Sequence, residues 1–61
     1  MAATFELYKD KAGEYRWRLR HQNGNIIADS GESYSSKEAA VNGIHSVMDN
    51  APAAPVEEPT T

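Results

Sequence analysis

A chain of 61 residues makes at most one domain, and one this short buries too small a share of its surface to be very stable alone. It has no cysteine for a disulfide, its two histidines cannot build a structural zinc site, and no apolar run nears the roughly 20 residues of a membrane span. Six Lys and Arg against nine Asp and Glu, a net charge of −3, exclude the strongly basic balance of a typical nucleic-acid binder.

The N-terminus, Met1-Ala2-Ala3-Thr4, has neither the basic start nor the apolar stretch of a signal peptide. With the absence of cysteine, this gives the expectation of a cytoplasmic protein. Thr4-Phe5-Glu6-Leu7-Tyr8-Lys9 alternates and predicts a first strand. Asp10-Lys11-Ala12-Gly13 then predicts a three-residue hairpin loop with a glycine bulge, which places Asp10 opposite Glu14.

Tyr15-Arg16-Trp17-Arg18-Leu19-Arg20-His21 alternates apolar or aromatic with basic residues and predicts the central strand. In the resulting register Leu7 faces Trp17 and Phe5 faces Leu19 on one side. On the other, Tyr8 meets Arg16, Glu6 meets Arg18 and Thr4 meets Arg20. Asn23-Gly24 predicts a two-residue type I′ turn, pairing Gln22 with Asn25, His21 with Ile26, Arg20 with Ile27, Leu19 with Ala28 and Arg18 with Asp29. A three-residue loop would slip this register by one and bury Ile27.

Gly31-Glu32-Ser33-Tyr34 reads as a connection. Ser35 and Glu38 then form a capping box for a helix from about Ser36 to Asp49. Its apolar stripe is Ala40, Ile44, Val47 and Met48, with Val41 beside it and Gly43 at the edge, where a close approach explains the glycine. The predicted fold is α+β: a three-stranded antiparallel meander followed by one C-terminal helix, ββ βα in a single domain over residues 1–50. Residues 51–61 hold all three prolines and predict a disordered acidic tail. One helix about 10 Å across cannot cover three strands spaced about 4.8 Å apart, and two sheet edges stay open, so the unit is expected as a homodimer.

These residues resemble the YegP-like family, the domain of unknown function DUF1508, also called UPF0339. The resemblance is carried by Phe5-Glu6-Leu7-Tyr8-Lys9-Asp10, Gly13, Tyr15-Arg16-Trp17-Arg18-Leu19, Asn23-Gly24, Ile26-Ile27-Ala28, Ser30-Gly31-Glu32, Tyr34, Ser36-Lys37 and Gly43-Ile44. It covers about residues 4–48, and the tail looks peculiar to this chain. It implies a ββ βα unit that occurs as a tandem pair in longer members, so a single-copy chain would complete the pair by dimerising. It implies no activity, substrate or site residues.

The candidate binding residues are Tyr8, Arg16, Arg18, Arg20 and Lys37. The arginines project from one face about 6.6 Å apart, where they suit a phosphate backbone or another anion. The plainer reading is a solvated or dimer-contact face, with Arg18 between Glu6 and Asp29 and Arg16 stacked on Tyr8. The helix start has a sufficient role in capping. No catalytic residue, metal site or cofactor is indicated, and no enzyme is expected. The leading expectation is a small dimeric module for protein–protein interaction, with nucleic-acid or anion binding through the arginine face as the alternative.

Overall fold

The first hairpin closes on Asp10. In the computed structural model, which describes residues 2–59, β1 (Ala3–Lys9) and β2 (Tyr15–His21) pair antiparallel. The Asp10 amide donates to the Glu14 carbonyl at 2.8 Å, and the Gly13 amide donates to the Asp10 carbonyl at 3.0 Å. One Asp10 carboxylate oxygen accepts from the amides of Ala12 and Glu14 at 2.9 and 3.0 Å. Gly13, at φ 83°, takes the left-handed conformation the bulge needs. The expected register follows, from Thr4 opposite Arg20 to Tyr8 opposite Arg16.

The second hairpin, into β3 (Ile26–Asp29), departs from the expected type I′ turn. The His21 amide donates to the Asn25 carbonyl at 2.7 Å and the Gly24 amide to the His21 carbonyl at 2.8 Å, so the loop is the three residues Gln22, Asn23 and Gly24. Asn23 lacks the positive φ that a type I′ turn demands; within the loop Gly24 alone has it, at 96°. This loop repeats the chemistry of the first, with His21 Nδ1 accepting from the Asn23 amide at 3.1 Å where Asp10 accepts from Ala12.

A bulge absorbs the register slip that the longer loop imposes. Arg20 pairs with Ile26 and Leu19 with Ala28, which leaves Ile27 as the extra residue. The expected pairs of His21 with Ile26 and Arg20 with Ile27 are therefore corrected, while Leu19 with Ala28 and Arg18 with Asp29 hold.

β2 is the middle strand, and its second edge stays paired beyond β3. The Ser30 amide donates to the Trp17 carbonyl at 2.9 Å, and Tyr15 and Tyr34 exchange two bonds of 2.8 Å. The stretch expected as a plain connection thus adds a bridge to the sheet.

The helix α1 (Lys37–Asn50) starts one residue later than expected. Ser36, not Ser35, is its cap, with Ser36 Oγ accepting from the Ala39 amide at 3.1 Å. The third helical position is then Ala39 rather than Glu38, and no capping box forms. The helix lies over β1 and β2, on the face that carries Trp17. Trp17 and Ala40 are the buried apolar residues among those described, and Phe5 meets the Trp17 ring edge to face at 5.6 Å between centroids. Phe5, Leu7, Leu19, Val41, Ile44 and Val47 are half-buried around them, and every residue of β3 is exposed. A turn of 3-10 helix (Ala51–Ala53) continues α1, and residues 54–59 are exposed without regular structure. Thr60 and Thr61 of the expected tail lie outside the described residues.

Candidate functional site

The period of two along β2 sends Tyr15, Trp17 and Leu19 toward the helix and Arg16, Arg18 and Arg20 to the opposite face. There each arginine has an acidic partner. Arg16 Nε donates to an Asp10 carboxylate oxygen at 2.8 Å, and Arg18 Nε and Arg20 Nε share one Glu6 oxygen at 2.6 and 3.1 Å. Arg20 also donates through Nη1 to the Gly24 carbonyl at 3.0 Å, which ties the strip to the second hairpin.

The structure brings Tyr8, Arg16, Arg18 and Arg20 together, but with different neighbours than expected. The guanidinium carbon of Arg18, not that of Arg16, stands over the Tyr8 ring, 4.7 Å from its centroid. Arg16 turns instead to Asp10, a residue whose second role at this face was missed. Its signal was positional: Asp10 follows Tyr8 by two residues, which makes it the diagonal neighbour of Arg16. Asp29, the second acid expected for Arg18, accepts from the Gly31 amide at 3.0 Å and makes no ion pair among the described residues. Lys37 opens the helix that packs on the other face, and no hydrogen bond or ion pair among the described residues joins it to the arginines.

These pairs hold the acids ionised. The hydrogen bond from Arg18, and then that from Arg20, bring the Glu6 carboxyl below its ordinary range. Asp10 is lowered by its bond from Arg16 and then by the Glu14 amide, and Arg16 is raised in return, chiefly by Asp10. The face is therefore nearly charge-compensated, with its guanidinium groups held in place and their side chains about one-third exposed.

Nothing in the described residues points to catalysis. They enclose no cavity, and no three His, Asp or Glu side chains gather where a metal ion could sit. His21 Nδ1 is engaged by the Asn23 amide, and His45 is exposed on the helix. No helix among the described residues is long and apolar enough to cross a membrane.

The family model described as "Domain of unknown function (DUF1508)" matches residues 10–58. The chain belongs to the DUF1508 family. A UPF0339 protein of Treponema denticola is 52% identical over 58 residues, covering 95% of this chain and 98% of that protein. One from Mesorhizobium japonicum is 50% identical over 58 residues, covering 95% and 97%. The solution structure of a protein from Haloferax volcanii, 60% identical, superposes with a TM-score of 0.88 over 93% of this chain and 95% of that one. A Stutzerimonas stutzeri relative, the UPF0339 protein in ptx operon 5′ region, is 52% identical over 52 residues, and the DUF1508 chain spans 46% of its length. The family match runs past the helix to residue 58, which corrects the expectation that the tail is peculiar to this chain.

Proposed function

We propose that this DUF1508 protein is a non-catalytic interaction module that works in the cytoplasm as a homodimer and binds another protein. One observation carries the reading: the helix covers β1 and β2 and leaves β3 bare. Ile26, Ile27 and Met48 are 53%, 55% and 56% exposed, although their chemistry suits a core.

A relative that matches this unit over less than half of its length has room for a second unit in one chain. A single-copy chain reaches the same arrangement by association.

The nucleic-acid reading of the arginine face is the weaker one. Each arginine already donates through Nε to a carboxylate, and the Tyr8 ring that would stack on a base is covered by Arg18. The test of the dimer is its melting midpoint against protein concentration, because association makes that midpoint rise with concentration. A midpoint unchanged over a wide dilution range removes the reading.

A further inference from the structure

We propose that Asn23 is a site of spontaneous covalent modification, deamidation to aspartate and isoaspartate, and that the fold shields the chain's other Asn-Gly step, Asn42-Gly43, from the same reaction. The isoaspartate product unfastens the hairpin that carries β3.

Two of the four asparagines, Asn23 and Asn42, precede a glycine. That step is the reactive one, because a glycine amide has no side chain beside it to hinder its approach to the asparagine. The glycine amide nitrogen attacks Cγ of the asparagine and gives its proton to solvent. The Cγ–Nδ2 bond breaks, ammonia leaves, and a succinimide ring closes. Water then opens the ring. Attack at Cγ gives aspartate; attack at the main-chain carbonyl carbon gives isoaspartate, with the chain rerouted through the side chain.

Exposure does not separate the two steps, since Asn23 and Asn42 are both exposed. The backbone does. Asn42-Gly43 lies inside α1, where turning the Gly43 amide onto Cγ of Asn42 breaks the helical ladder. This is also where the helix meets the sheet: Tyr34 Oη and Trp17 Nε1 crowd the point that a Gly43 Cβ would occupy, at 2.6 and 3.2 Å. Packing thus demands glycine at position 43, and with it a reactive step that the helix alone protects.

Asn23-Gly24 has no such cover. Gln22, Asn23 and Gly24 are all exposed, and the loop closes through the Gly24 amide on the His21 carbonyl at 2.8 Å and the Asn23 amide on His21 Nδ1 at 3.1 Å. Opening this loop breaks few bonds and uncovers no core, so it costs far less than opening α1 over Trp17.

The two products differ in consequence. Aspartate at position 23 keeps the side-chain oxygen that accepts from the Asn25 amide at 2.9 Å. Isoaspartate adds a methylene to the main chain, inside a loop whose length sets the bond from the His21 amide to the Asn25 carbonyl at 2.7 Å and the pairing of Arg20 with Ile26.

The experiment ages the full chain at mildly alkaline pH, once folded and once in denaturant, and follows both sites by peptide mapping with mass spectrometry. In the folded chain Asn23 should convert roughly tenfold or more faster than Asn42, the factor given by about 1.4 kcal/mol of extra opening free energy. In denaturant the two sites should convert at similar rates. Equal conversion in the folded chain, faster conversion at Asn42, or the same preference for Asn23 in denaturant overturns the proposal. So does a folded Asn23 that stays intact while the denatured one converts. Amide hydrogen exchange of the purified isoaspartate form, beside the Asn23→Asp variant, tests the consequence. The isoaspartate form should lose protection at the His21 and Gly24 amides and the variant should keep it; full protection in the isoaspartate form contradicts the unfastened hairpin.

Discussion

The indole Nε1 of Trp17 stands 3.2 Å from the point that a Cβ on Gly43 would occupy, and the Tyr34 hydroxyl stands 2.6 Å from it. The helix can approach the sheet this closely because residue 43 has no side chain. In an exposed helix, Gly→Ala stabilises by about 1 kcal/mol. Here Gly43→Ala should instead lower stability in a denaturant melt, because the Tyr34 ring must move out of a packed site. Tyr34→Phe removes the nearest of the clashing atoms and should recover part of the loss in the double variant. A stabilised Gly43→Ala would show that the helix stands off from Trp17.

Trp17→Ala tests the other side of the same contact. Trp17 is the large side chain at the centre of the core and packs on Phe5. Its removal should cost about 3–5 kcal/mol, enough to unfold so small a domain. A cooperative melt near the parent's midpoint would contradict this account of the core.

The second hairpin gives a prediction with an internal control. Gly24 sits at φ 96° and Asn23 at negative φ, so Gly24→Thr should be markedly more damaging than Asn23→Thr. A type I′ turn would penalise both, because both central residues would need positive φ. Thermal melts of the two variants side by side decide between the loops.

Acid should loosen the arginine face. Glu6 and Asp10 have folded values below their ordinary 4.5 and 3.8. Their stabilising contribution is complete above those ordinary values and is lost as pH falls through the lowered folded ones. Stability should therefore decline with acidification below about pH 4.5, and Glu6→Gln should flatten that decline. An identical acid limb in the Glu6→Gln variant would show that its pairs with Arg18 and Arg20 do not hold in solution.

Much of this was legible because the sequence repeats simple periods. The alternation in residues 15–21 placed Trp17 and the arginines on opposite faces, and Asp10 with Gly13 specified the first loop. The second loop was misread because Asn-Gly serves equally in a type I′ turn and in a type I turn with a glycine bulge. The distinguishing cue was His21, whose Nδ1 caps the loop amide as Asp10 does. The cap slipped from Ser35 to Ser36 because two adjacent serines are both competent and Glu38 favoured the wrong one. Tyr34 was missed since a single bridge leaves no periodicity to read. Arg18 kept Glu6 but took the Tyr8 ring expected for Arg16, and Arg16 turned to Asp10, because side chains lean along a strand and diagonal neighbours compete with direct ones.

The dimer is the claim on which the functional reading turns, and sedimentation equilibrium of the full chain tests it most directly. A homodimer gives the mass of two chains at micromolar concentration, shifting toward that of one chain on dilution. A single-chain mass at every concentration would contradict it and leave β3, Ile26, Ile27 and Met48 without a partner.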